Sequence, residues 1–133
     1  MAALVPGVHE VTPDVAASAV REASALGARV FVLSSEGAST RADFFDAVRA
    51  SLPLDPPLFG SRSWDALEDS VWGGIDAFDE SVIVITWTGA SDLRRNAPDD
   101  FAIAMGVFRQ LTSSLGSPEY TCGKPKQVCV YVS

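Results

Sequence analysis

Three short and nearly continuous apolar runs constrain the fold of this chain more than any other feature of its sequence. SVIVITW (81–87) is the strongest, and ARVFVLS (28–34) and QVCVYV (127–132) repeat the pattern. Because their apolar residues are consecutive rather than alternating, these runs are typical of strands that are buried on both faces. Neighbouring parallel strands also need a long connection, which a helix usually supplies. The runs therefore predict a small parallel sheet covered by helices.

The segments between the runs have the spacing and end signals of helices. Thr12 and Pro13 supply an N-cap and a first-turn proline. The paired Gly73 and Gly74 are interpreted as the end of a later helix, and the polar stretch 89–98 separates the second strand from the last helix. Helices are predicted over four segments: 13–26, about 40–52, about 64–75 and 98–115. The fold class is α/β, a single small domain with a three-stranded parallel sheet flanked by helices.

We expect one domain over 1–133, divided into an N-terminal extension with a helix (1–27) and a core (28–133). The only histidine, His9, is interpreted as a loop residue of that extension. The chain shows no signal peptide and no run near the roughly 20 apolar residues of a membrane helix. Its two cysteines cannot form a four-ligand zinc site and favour a reducing compartment. We therefore expect a cytoplasmic protein without a membrane partner.

Charge and motifs exclude several classes of function. The chain has 17 acidic and 10 basic residues, a formal net charge of −7. This balance disfavours nucleic acid and anionic membranes as partners and favours a basic protein. No glycine-rich phosphate loop is present, and one histidine cannot supply a catalytic triad or a metal cluster. We expect no cofactor and no metal.

The acidic residues are concentrated in one fifth of the chain. Between positions 55 and 80 the only basic residue is Arg62, and this segment carries −6 of the total charge. Its acids are Asp55, Asp65, Glu68, Asp69, Asp76, Asp79 and Glu80. The negative charge of the chain is therefore localised in this segment rather than spread evenly along the sequence.

Helical spacing sorts the third predicted helix into two neighbouring faces. Trp64, Leu67 and Val71 recur at i, i+3 and i+7 and are expected to face the core. The second set, beside that stripe, is Asp65, Glu68, Asp69 and Trp72. The preceding loop adds Leu58 and Phe59 as apolar anchors. Carboxylates beside exposed apolar groups are typical of a protein-binding surface.

Two other interpretations fit the same residues. The segment is also compatible with a solvated acidic helix whose neighbouring loop folds inward. Alternatively, Asp65 and Asp69 form a carboxylate pair of the kind used in acid–base chemistry. No nucleophile or metal-ligand set accompanies that pair, so we do not expect an enzyme.

Over roughly residues 30–133 the sequence resembles the barstar family, intracellular protein inhibitors of small microbial ribonucleases. The resemblance rests on TRADFFDAVRASLPLDPPLFG leading into WDALEDSVW, then the VIVITW strand, VFRQL in the last helix and a terminal strand. It implies an α/β fold and inhibition by occlusion, in which helix acids replace the RNA phosphate in the ribonuclease active site. The partner it implies is a secreted guanyl-specific ribonuclease, bound 1:1, as in immunity to a bacterial toxin.

By matching position, the resemblance assigns Asp65 as the first helix acid and Asp69 as the central one. Phe59 and Gly60 become the contacting loop residues, with Leu58 beside them.

Four features depart from the family pattern. Glu68 stands where the family can carry Trp, and Gln110 stands at a late-helix position that bears an acid in the type member. The loop before Asp65 is one residue longer and contains Arg62, whose charge opposes docking to a basic enzyme unless it turns away or meets a guanine-site carboxylate. The fourth departure is the extra N-terminal helix.

The alternative function is an acidic interaction or immunity module for a basic partner that is not a ribonuclease.

Overall fold

Four parallel strands form the centre of the protein, which a computed structural model describes over residues 4–133. The strands are β1 (Gly7–Glu10), β2 (Arg29–Ser34), β3 (Val82–Thr88) and β4 (Gln127–Val132). Their order across the sheet is β1-β4-β3-β2, and all three pairings are parallel. In this register Val84 of β3 lies between Val30 of β2 and Cys129 of β4. The α/β class and the parallel sheet are as predicted.

The predicted number of strands, three, is wrong because β1 was missed. β1 has four residues, none of them fully buried. An edge strand of this length has neither a long apolar run nor a clear alternation, so its sequence resembles a loop. His9, expected in a loop, lies in β1 opposite Tyr131, with the two ring centroids 5.6 Å apart.

Within residues 4–133, five helices connect and cover the strands. They are α1 (Pro13–Ala25), α2 (Arg41–Ser51), α3 (Trp64–Asp76), α4 (Ala90–Asn96) and α5 (Pro98–Leu115). Four of them confirm the predicted segments, and Thr12 caps α1 as expected. The helix α4 lies in the polar stretch 89–98 and was missed. It has only seven residues, of which two, Ala90 and Leu93, are buried, too few to give a helical periodicity.

The main core lies between one face of the sheet and the helices α2, α3 and α5. Trp87 of β3 is at its centre, fully buried. Its ring centroid lies 5.2 Å from that of Phe44 in α2 and 5.5 Å from that of Phe108 in α5. The indole nitrogen Nε1 of Trp87 donates a hydrogen bond to Ser35 Oγ at 2.7 Å. This packing fixes α2 and α5 against the sheet.

The N-terminal extension covers the second face of the sheet. The buried residues of α1 are all alanines, at positions 16, 19 and 23, and they pack against Val84, Cys129 and Tyr131. Small side chains allow the helix to approach the strands closely. The extension thus adds β1 to one edge and closes one face. Within residues 4–133 no helix has the length and apolarity needed to cross a membrane.

Candidate functional site

The start of α3 determines which of its side chains face outward. The hydroxyl of Ser63 accepts a hydrogen bond from the backbone of the first turn at 3.3 Å, so the helix begins at Trp64. Leu67 and Val71 are buried, as the apolar stripe predicts. Trp64 is half-buried, with its ring centroid 5.0 Å from that of Phe45 in α2. These contacts turn the acidic side of α3 toward solvent.

Three carboxylates occupy that side, and we call Asp65, Glu68 and Asp69 the acid face. Asp65 and Asp69 are exposed, whereas Glu68 is half-buried. Partial burial raises the pKa of the Glu68 carboxyl, and the negative charges of Asp69 and then Asp65 raise it further. The three groups therefore repel one another in the free protein. An approaching cation would relieve that repulsion.

Trp72 was expected among these acids on the surface, and that expectation is wrong. The side chain is half-buried and packs against the main core. Its Nε1 donates a hydrogen bond to Ser114 Oγ of α5 at 3.0 Å. Trp72 thus joins α3 to α5. Gln110 is exposed on α5, one helical turn before Ser114, and so lies on the side of α5 that adjoins α3.

The loop before α3 separates its two apolar side chains. Leu58, expected as an exposed anchor, is only 5% exposed and belongs to the main core, whereas Phe59 is 88% exposed. Gly60 follows with φ of 64°, a left-handed conformation that glycine adopts without strain. The loop therefore folds inward at Leu58, as the solvated-helix interpretation supposed, but projects Phe59 into solvent.

Two arginines of α2 hold this loop in place. Arg49 donates from Nε to the carbonyl of Leu58 and from a terminal nitrogen to that of Ser61, both at 2.7 Å. Arg41 donates to the carbonyl of Arg62 at 3.4 Å. Neither role is predictable from the sequence, since hydrogen bonds to backbone carbonyls leave no signal in residue type or spacing. The result is a loop whose backbone is fixed while Phe59 remains uncovered.

Gly73 and Gly74 lie inside α3 and do not end it, contrary to expectation. A Cβ atom at Gly73 would lie 2.1 Å from the carbonyl oxygen of Asp55, and one at Gly74 would lie 2.2 Å from that of Pro53. The backbone N–H of Asp55 also donates to the carbonyl of Ser70 at 2.9 Å. The glycine pair therefore lets the proline-rich segment pass directly against the helix.

Not every acid of the 55–80 segment belongs to the acid face. Glu80 lies beyond α3 and forms an ion pair with Arg29 of β2 at 3.1 Å. None of the ion pairs within residues 4–133 includes Asp65 or Asp69. The same part of the chain contains no group of three or more His, Cys, Asp or Glu side chains suited to holding a metal ion.

Comparison with known proteins assigns the chain to a family. The family model described as Barstar (barnase inhibitor) matches residues 28–125. The chain belongs to the barstar family. A search of the curated proteins found no match. The match extends from just before β2 to the segment before β4, and so includes the loop and α3 but not β1 and α1.

The barstar family as a whole has a known role, the inhibition of ribonucleases. Barstars are proteins that bind and inhibit ribonucleases of the barnase type. They are not themselves enzymes. The acid face and the loop before α3, which we call the Phe59 loop, lie inside the matched residues.

Proposed function

We propose that this protein inhibits a barnase-type ribonuclease by placing the acid face and Phe59 against the enzyme's active site. The observation that carries the proposal is the pair Asp65 and Asp69, exposed, one turn apart and without an ionic partner within residues 4–133. An enzyme that cleaves RNA must bind a phosphodiester through cationic groups. Carboxylates at this spacing offer the same cations a substitute for phosphate.

The energetics of the free protein support the proposal. Like charges one turn apart cost a few tenths of a kcal/mol in a helix. Partial burial is the main cause of the raised pKa of Glu68, and the negative charges of Asp69 and Asp65 add to it. Cations of a ribonuclease would neutralise these groups and convert the repulsion into attraction. The acid face therefore gains more from a basic partner than dispersed surface acids would.

The fixed conformation of the Phe59 loop also supports the proposal. Ordering a flexible loop on binding costs free energy, and a loop that is ordered beforehand avoids most of that cost. Arg49 and Arg41 already hold the loop by its carbonyl groups. Phe59, at 88% exposed, is then an apolar anchor ready for a cleft of the partner. In this proposal the chain is a cytoplasmic 1:1 inhibitor that needs no cofactor and counters a secreted guanyl-specific ribonuclease.

The test is a titration of guanyl-specific microbial ribonucleases with the purified protein, with RNA cleavage as the readout. We expect inhibition with an end point at one inhibitor per enzyme. Asp69→Ala should weaken the complex by more than about 2 kcal/mol, as truncation of a central charged contact does. The matched control is Asp14→Ala in α1, which removes an exposed acid on the opposite face of the sheet and should change affinity little.

Two results would count against the proposal. If no ribonuclease is inhibited at micromolar concentration or bound at low salt, the function is not ribonuclease inhibition. Retrieval of a basic protein that is not a ribonuclease from the native cell would then favour the alternative module. If Asp14→Ala weakens a complex as much as Asp69→Ala, net charge rather than the acid face determines binding.

A further inference from the structure

A shallow depression beside the loop that precedes α3 has a charge opposite to that of the acid face. It lies between α2 and the Phe59 loop, is lined by Ala42, Asp46, Arg49, Gly60 and Arg62, and has a volume of about 350 Å³. Two guanidinium groups and one carboxylate line it, so its local charge is positive. We call it the Arg62 depression.

The other charged groups of the Arg62 depression are already paired. Arg49 donates to Asp46 at 3.2 Å and directs its remaining nitrogens to the carbonyls of Leu58 and Ser61. Arg62 is exposed, and no ion pair or side-chain hydrogen bond within residues 4–133 involves its guanidinium group. The charge of Arg62 is therefore not neutralised within the described part of the molecule.

On the basis of the ribonuclease-binding function proposed above, we propose that the Arg62 depression receives a carboxylate side chain of the partner, which Arg62 binds. Arg62 is an exposed residue three positions before Asp65, in the same loop as Phe59, and its backbone carbonyl is held by Arg41. A cation there would repel a basic enzyme unless an acid of that enzyme met it. A planar guanidinium group is suited to bind a carboxylate through two hydrogen bonds.

The proposal makes Arg62 a determinant of specificity. A ribonuclease with a carboxylate beside its phosphate-binding cations would be bound more tightly than one with a neutral or basic residue there. The acid face would recognise what all such enzymes share, the cations of the active site. Arg62 would recognise what distinguishes one of them.

The experiment measures the affinity of four proteins for a ribonuclease that the natural chain inhibits: the natural chain, R62Q, R62K and R62E. We expect R62Q to bind about tenfold more weakly, since it leaves a partner carboxylate unpaired. R62K should retain part of the affinity because it keeps the charge but not the planar donor pair. R62E should bind more weakly than R62Q. Since the side chain is exposed, all four should have the same melting temperature.

The control is R21Q on α1, which removes an exposed positive charge on the opposite face of the sheet. It should change affinity less than about twofold. If Arg62 only opposes docking, R62Q will bind as tightly as the natural chain or more tightly, and the inference fails while the proposed function stands. If the natural chain inhibits no ribonuclease, both fail.

A double-mutant cycle identifies the partner group. Each acid at the rim of the ribonuclease active site is changed to its amide and tested with and without R62Q. Coupling to a single acid supports the proposal and names the carboxylate. If every acid contributes independently of Arg62, no carboxylate occupies the depression and the inference is overturned.

Discussion

Leu58 and Phe59 are neighbours in the loop, yet their side chains have different surroundings, and this leads to a prediction with two opposite outcomes. Leu58→Ala removes a buried side chain that is 5% exposed and should lower the free energy of unfolding by about 2–4 kcal/mol. Phe59→Ala removes a side chain that is 88% exposed and should leave stability unchanged. It should weaken the complex by more than about 1 kcal/mol. Denaturant unfolding and inhibition titrations measure the two effects.

Each variant is the control for the other. If Phe59→Ala destabilises the fold as much as Leu58→Ala, the loop packs Phe59 inward in solution. If Phe59→Ala leaves inhibition unchanged, the loop is not part of the docking face.

At the scale of residues, the sequence predicts which side chains are acidic or apolar and which share a helix face. It therefore gives Asp65, Glu68 and Asp69 as one set. It does not give the direction of adjacent side chains in a proline-rich loop, where no period applies, and so the exposure predicted for Leu58 is wrong. Nor does it show that an aromatic side chain of one helix donates a hydrogen bond to a polar atom of another, as Trp72 does to Ser114.

At the scale of elements, the close approach of the proline-rich segment to α3 predicts an unusual response to alanine. Alanine normally stabilises a helix relative to glycine by up to about 1 kcal/mol. At Gly74, however, the new Cβ would lie 2.2 Å from the carbonyl oxygen of Pro53 and 2.9 Å from the backbone nitrogen of Leu54. Gly74→Ala should therefore destabilise the protein by more than about 2 kcal/mol. Thermal unfolding measures the change.

Gly106→Ala is the matched control for this prediction. Gly106 also lies inside a helix, α5, but no heavy atom other than those of its chain neighbours and its own helix backbone lies within 4 Å of its would-be Cβ. The same substitution should there raise stability by about 0.5–1 kcal/mol. If both variants are stabilised, the segment 53–55 moves away from α3 at little cost, and the helix does not hold the loop.

Elements were predictable in proportion to their length and burial. The strands β2, β3 and β4 have six or seven residues, and the helices α1, α2, α3 and α5 each carry at least three buried residues. The elements that were missed, β1 and α4, have four and seven residues. Their structure depends on neighbours distant in the chain: β1 pairs with β4, and in α4 the carboxylate of Asp92 accepts from the backbone N–H of Gly37 while the N–H of Ala90 donates to the carbonyl of Ser133.

At the scale of the whole molecule, the N-terminal extension joins the rest of the chain through β1, which pairs with β4, and through α1, which packs over one face of the sheet. The family match covers residues 28–125 and includes neither β1 nor β4. In the sheet, β4 pairs with β1 on one side and with β3 on the other, and α1 packs over its Cys129 and Tyr131. The extension therefore helps to support the sheet. The helix α5 packs against that sheet, and α3 packs against α5. The proposed docking face, formed by the acid face and Phe59, lies on the other side of the sheet.

The distribution of charge over the molecule predicts how fast a complex forms. The chain has a net charge of −7, and Asp65 and Asp69 project from one face. Such a field attracts a basic enzyme in the correct orientation, and added salt screens it. We expect the association rate to fall about tenfold or more between roughly 0.02 and 0.5 M salt, as the screening length falls from about 20 Å to about 4 Å. Stopped-flow tryptophan fluorescence measures this rate.

The dissociation rate separates steering from contact. Charges that only steer the encounter change the association rate, whereas contacts at the docked face determine dissociation. Asp69→Ala should therefore reduce the salt dependence of association and also speed dissociation, while Asp14→Ala should alter the salt dependence slightly and dissociation not at all. An association rate that does not change with salt would mean that apolar contact at Phe59, not the acid face, brings the two proteins together.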